Sequence, residues 1–159
     1  MRIGDTVIIQ KAGDIIPDIV QVLPNLRPKS SKPYRFPKKC PACGSKVEQA
    51  PQEVAQYCSN VQCFAREQEK LYHFVSKKGF DIVGLGPKIL DQLVDAGLIS
   101  SYVDIFELTV GDLEPLERFA EKSSENLIAE IKQAAKTTLP RLLYALGIRH
   151  VGEETAIAL

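Results

Sequence analysis

All four cysteines of this 159-residue chain fall within one window of 24 residues. They read Cys40-x2-Cys43, a gap of 14 residues, then Cys58-x4-Cys63. Two tight pairs flanking a loop suit tetrahedral zinc. Each pair aims two thiolates at one ion, and the loop brings the second pair back to the first. In Cys40-Pro41-Ala42-Cys43-Gly44 the proline fixes one φ, and Gly44 permits a turn with positive φ. Two disulfides would suit a secreted chain, but the opening Met1-Arg2-Ile3-Gly4-Asp5 has no apolar stretch of signal-peptide length. A redox C-x-x-C would need βαβ surroundings, which do not appear around Cys40. The pattern therefore predicts one zinc per chain. Four thiolates leave no position open to water, so the ion is expected to hold the fold and do no chemistry. His73, ten residues past Cys63, lies in an apparent helix and reads as a surface or packing residue.

Composition sets the class around that window. Apolar residues make 45% of the chain and charged residues 25%, values of an ordinary globular protein. The longest stretch without Asp, Glu, Lys or Arg is Val54–Ala65, too short for a membrane span of roughly 18 apolar residues. The length fits one domain or a few very small ones. Net charge is zero, yet residues 1–80 hold 13 Lys/Arg against 7 Asp/Glu, and residues 81–159 hold 7 against 13. Such asymmetry points to different tasks for the two halves.

Residues 6–10 and 18–23 are rich in β-formers, with Gly13-Asp14 as a turn between them. Two strands alone are marginal, so residues 1–23 read as the end of a larger β domain with unpaired edges. Residues 24–39, PNLRPKSSKPYRFPKK, hold four prolines, six Lys/Arg and no acid. That composition is either an extended solvated connector or a phosphate-facing strap with Tyr34 and Phe36 interleaved among cations. Helices are predicted over about 62–78, 87–95, 101–108, 110–115, 123–135 and 138–146, with a last one starting near Glu153. Phe64, Leu71, Phe74 and Val75 mark the apolar face of the first, and Pro87 and Gly97 bound the second.

Between the first two helices lies Ile82-Val83-Gly84-Leu85-Gly86. Glycines there let the backbone bend and come close to a ligand, and the next helix points its free amides at that spot. A phosphate fits such a place, with Lys88 as a further contact. Gly147-Ile148-Arg149-His150-Val151-Gly152 repeats the arrangement. Leu116 to Ser123 occupies the middle position without glycine, and Ala120 there is expected to restrict φ and push the backbone away. Two such hairpins with a degenerate one between them resemble the helix-hairpin-helix repeat of non-specific duplex DNA binders, and that resemblance makes Gly84, Gly86, Lys88, Gly147, Arg149 and Gly152 the candidate DNA-binding residues. His150 has no Ser, Cys or Asp partner in the local sequence, and no catalytic or cofactor-binding residue is assigned.

The order of these parts resembles the middle of the bacterial NAD-dependent DNA ligases. RIGDTVIIQKAGDIIP resembles the last strands of that family's OB-fold, and CPACGSKV with Cys58 and Cys63 its zinc finger. HFVSKKGFDIVGLGPKILDQLVDAGLI, LTVGDLEPLERFAEKSSENLIAEI and LLYALGIRHVGEETA resemble three units of its helix-hairpin-helix domain. The resemblance implies a mainly α, multidomain chain. Residues 1–27 would be an OB-fold remnant and 28–66 a zinc finger with its basic connector. Residues 67–159 would be a truncated helix-hairpin-helix DNA-binding domain. Two departures stand out: Phe64 follows the last cysteine where the family usually has Pro, and Arg118-Phe119-Ala120 stand where it often has Gly-Phe-Gly.

The family's Lys-x-Asp-Gly adenylation motif does not occur in the chain. The resemblance therefore implies a non-catalytic, DNA-gripping portion of an enzyme that seals nicks between 5′-phosphate and 3′-hydroxyl. NAD and magnesium would serve only the parent enzyme. The zinc finger would act as a rigid joint, and the hairpins would hold minor-groove phosphates of nicked duplex without sequence preference. Partners would be DNA and the remaining domains of the same chain, with no membrane. The expected location is the cytoplasm, with the nucleoid. Two competing readings are a recombination-mediator-type DNA clamp, in which the hairpin precedes the cysteines, and a zinc-dependent protein-interaction module.

Overall fold

A computed structural model describes residues 1–13, 16–51, 53–117 and 119–159. Asp14, half of the predicted first turn, and Arg118, in the middle hairpin, lie outside the described residues. The chain is mainly helical, with two small antiparallel strand pairs and a four-cysteine cluster. It divides into two compact units, residues 1–59 and 60–159.

In the first unit, β1 (Val7–Ala12) pairs with β2 (Ile16–Val22), with a bulge after Ile8. Ile9, Ile16 and Val20 are all exposed, so neither strand has a core to rest on. A short 3-10 turn, Pro24–Leu26, follows. The next residues fold back on the amino terminus instead of running free. Arg27 donates twice to the Asp5 carboxylate, at 2.6 and 3.0 Å, and the Arg2 amide donates to it at 2.7 Å. That carboxylate is 1% exposed, and the guanidinium hydrogen bond holds it below its usual pKa. Arg2 also bridges to Pro33. An ion pair between residues 22 apart in sequence thus anchors the start of residues 24–39. Farther on, β3 (Val47–Gln49) pairs with β4 (Gln56–Cys58).

The described residues of the second unit form seven helices. They are α1 (Phe64–Val75), α2 (Pro87–Asp95), α3 (Tyr102–Glu107), α4 (Val110–Leu113), α5 (Glu121–Ala134), α6 (Leu139–Ala145) and α7 (Glu153–Ala158). Leu71, Phe74, Leu90, Leu93, Ile105, Leu113, Leu127 and Ile131 are among the side chains that form one core. Phe74 stacks on Phe80 and Tyr102 at centroid distances of 4.2 and 4.6 Å. The Tyr72 hydroxyl and the Gln68 amide of α1 both donate to Asp91 of α2. Held by that carboxylate, Tyr72 is pushed up to about 12. Gly97, at φ +71, ends α2 as its position predicts. Phe64 departs from expectation. It opens α1 but is 62% exposed, so the apolar face begins only at Leu71.

α3 and α4 are sealed by their own acids. Asp104 accepts from the Ser100 and Ser101 amides, and Asp112 from the Thr109 amide and hydroxyl. The Ser100 and Ser101 donors lower Asp104 to about 2.

Candidate metal centre and nucleic-acid interface

Cys40 and Cys43 sit on a tight loop closed by two hydrogen bonds, Gly44 N–H to Cys40 O at 2.8 Å and Cys40 N–H to Ser45 O at 2.7 Å. Gly44 makes that turn at φ +72, the left-handed value for which glycine is suited. Cys58 ends β4, opposite Val47. Cys63 is the cap residue of α1 and is nearly fully buried. All four Sγ atoms lie within 4.8 Å of one another. A tetrahedron with Zn–S bonds of about 2.3 Å separates its sulfurs by about 3.8 Å, so the cluster suits one such ion. Cys43 and Cys58 Sγ are 3.4 Å apart, well beyond the roughly 2.05 Å of a disulfide. His73 is not part of the cluster. Its Nε2 lies 2.8 Å from Tyr144 O and its ring 4.7 Å from the Tyr144 ring, which ties α1 to α6.

The glycine hairpins show a repeat finer than the sequence pattern. Three turns share one closing hydrogen bond. Leu85 N–H donates to Ile82 O at 3.1 Å, Phe119 N–H to Leu116 O at 3.2 Å, and Val151 N–H to Ile148 O at 3.0 Å. The next residue in each case caps a helix with extended backbone. These caps are Gly86 (φ −83°), Ala120 (φ −116°) and Gly152 (φ −84°). Two residues before the cap, Gly84 has φ +87 and His150 has φ +67. This is the left-handed third position of a type II turn. Gly84 therefore corresponds to His150. Gly147 belongs to the end of α6, with φ +61, where an added Cβ would meet the His73 ring at 3.5 Å.

The two cap glycines are not required by the fold. Their φ values suit any residue, and an added Cβ would meet nothing within 4 Å at either position. Ala120 bears this out, since it holds the same extended cap. The restriction of φ expected of alanine is compatible with this cap, at φ −116°. What differs at the middle turn is the amide. Ala120 N–H donates to Ser123 Oγ at 2.8 Å, and Ser123 Oγ–H donates back to Ala120 O at 2.7 Å. Among the described residues no side chain accepts from the Gly86 or Gly152 amide.

The six candidates do not form one uniform surface. Gly84, Gly86 and Lys88 gather at the first turn and are exposed, as are Gly147, Arg149 and Gly152 at the third. The third also carries Glu153 and Glu154 in the first turn of α7, and Lys78 pairs with Glu153 at 2.5 Å. Sequence reasoning missed two positioning groups. Arg141 of α6 donates to Lys77 O at 2.6 Å and lies 3.4 Å from Asp81, just before the first turn. Ser123 is the other, and a serine three residues after a cap is a readable signal.

Comparison with known proteins bears on both sites. Residues 39–65 match the family described as NAD-dependent DNA ligase C4 zinc finger domain. The whole chain is 46% identical over 159 residues to a DNA ligase of Desulfosudis oleivorans. It is 49% identical over 157 residues to a DNA ligase of Methylococcus capsulatus, and 48% over 157 residues to one of Cellvibrio japonicus, each alignment covering 98% of the chain. The chain spans 23% of the length of each of these relatives.

Proposed function

We propose that this chain, similar from end to end to a stretch of bacterial DNA ligases, is the part of such an enzyme that holds DNA. It grips nicked duplex through minor-groove phosphates and without base preference, while the joining of 5′-phosphate to 3′-hydroxyl belongs to other parts of the enzyme. Its setting is the bacterial cytoplasm and nucleoid. In this reading residues 1–27 are the end of an OB-fold, 28–66 a zinc finger with its connector, and 67–159 the helix-hairpin-helix domain. One structural zinc is held by Cys40, Cys43, Cys58 and Cys63. It supplies no chemistry, because four thiolates complete its coordination. NAD and magnesium act at the parent enzyme's adenylation site, and no Lys-x-Asp-Gly occurs here to receive the nucleotide.

The observation that carries the DNA reading is the pair of cap glycines with neither a conformational nor a packing reason to be glycine. A residue without Cβ in open space is accounted for by a ligand that comes close to the backbone from outside. Duplex phosphate is such a ligand, and at the first turn Lys88 adds a cation. Gly84, Gly147 and Arg149 complete the proposed contacts.

Gly86→Ala and Gly152→Ala are the direct test. Neither methyl meets anything in the fold, so melting and zinc content stay as in the unaltered chain. Affinity for nicked duplex falls, similarly for unrelated base sequences. Lys88→Ala lowers the salt slope by about 0.9, one phosphate's share. Unchanged duplex affinity in the doubly substituted chain would defeat this assignment.

A further inference from the structure

We infer that the basic strap after the β1–β2 hairpin is a platform for an unpaired nucleic-acid strand, whose bases stack on Tyr34 and Phe36 while its phosphates lie on the flanking cations. The inference goes beyond the hairpin reading and does not depend on it. The strap belongs to residues 1–59 and the hairpins to residues 60–159, so substitutions separate the two.

The strap is anchored, not loose. The Asp5–Arg27 pair fixes its start, Ser31 N–H turns back to Pro28 O at 3.0 Å, and Arg2 Nη1 donates to Ser31 O at 3.3 Å. Four prolines between residues 24 and 39 restrict it further. Held this way, it displays two large rings to solvent, Tyr34 at 55% and Phe36 at 63% exposure. The rings meet edge to face with centroids 5.0 Å apart, so each keeps a face available. Tyr34 also lines an open groove with Ile3, Pro28, Lys32 and Arg35.

Charge identifies the occupant. Lys29, Lys32, Arg35, Lys38 and Lys39 flank the rings in sequence, Lys32 and Arg35 line the groove with Tyr34, no acid interrupts them, and none has an acidic partner among the described residues. An apolar protein partner would bury the rings and leave this charge unmatched. Duplex would match the charge, but its bases are already stacked and paired, so the rings would have nothing to stack on. An unpaired strand satisfies both, because every base offers a π-face and every nucleotide a phosphate.

The test uses the 159-residue chain with three labelled probes at low salt: oligothymidylate, an abasic deoxyribose-phosphate strand of the same length, and a blunt hairpin duplex. Stacking predicts that the unaltered chain binds oligothymidylate at least about fivefold tighter than the abasic strand. Tyr34→Ala/Phe36→Ala abolishes that preference and leaves duplex affinity in place. Lys32→Gln and Arg35→Gln each lower the single-strand salt slope by about 0.7. Gly86→Ala/Gly152→Ala weakens duplex binding and spares oligothymidylate. Equal affinity of the unaltered chain for the base-bearing and abasic strands overturns the inference without any variant. So does a failure to bind oligothymidylate at all, or a double ring variant that keeps the preference.

Discussion

Residues 1–59 and 60–159 are held together by different physics. Among the described residues, no apolar side chain of the first unit is buried, whereas the second unit holds all the buried apolar side chains, including Leu90, Leu93, Ile105 and Leu113 at 0% exposure. The first unit relies on strand pairing, one shielded ion pair and three of the four clustered cysteines. Below a certain size a chain cannot bury enough apolar surface to offset its conformational entropy, and bound metal supplies the deficit. The contrast also separates their failure modes, since a chelator and a cavity should injure different units.

The largest effect is expected from the metal. Structural zinc carries about 10–16 kcal/mol of apparent binding energy in finger peptides, so Cys43→Ser or a strong chelator unfolds residues 38–66. The helical unit keeps its cooperative melting. Elemental analysis showing no stoichiometric zinc in chelator-free protein would break the comparison at its root. Next comes the converse experiment. Leu93→Ala empties a fully buried site and costs about 2–5 kcal/mol, read as lost helical signal at lower denaturant while zinc stays bound. If zinc loss and helix loss always coincide, the two units are one.

A smaller effect distinguishes turns inside the second unit. Ser123→Ala removes the hydroxyl that satisfies the Ala120 amide, costing about 1 kcal/mol of stability and leaving nicked-duplex affinity intact. A variant that loses duplex binding without losing stability would place a DNA contact at the middle turn. The smallest effects are those of pH. Asp104 is lowered to about 2, so its cap contributes above its ordinary value of 3.8 and is lost as pH falls through about 2. Tyr72 is raised to about 12, so its bond to Asp91 contributes below its ordinary value of 10 and is lost as pH rises through about 12. Melting curves of Asp104→Asn and Tyr72→Phe, each flatter than the unaltered chain at its own pH extreme, check the two signs.

Much of this architecture was legible, and the gaps have physical causes. α2 falls on Pro87–Asp95 as expected because proline and glycine punctuate both ends. α5 begins two residues earlier than expected, at Glu121, because Ala120 has good helix propensity yet serves as an extended cap. The first residues of the metal loop were readable from local chemistry, Gly44 above all. The Asp5–Arg27 pair was not, since nothing periodic links residues 22 apart. The glycine pattern suggested that Gly147 opens the third turn. The equivalence of Gly84 with His150 rests on backbone angles, and a histidine at positive φ leaves no mark in composition.

The middle turn shows how one repeated backbone shape can present its cap amide in two ways. Its closing bond and its cap match those of its neighbours, and one hydroxyl fills the amide from within. Turn shape and amide availability are therefore separable in this chain. Two substitutions, Ala120→Gly and Ser123→Ala, would give the middle turn the cap residue of its neighbours and release its amide from the hydroxyl, which makes amide availability at that turn adjustable.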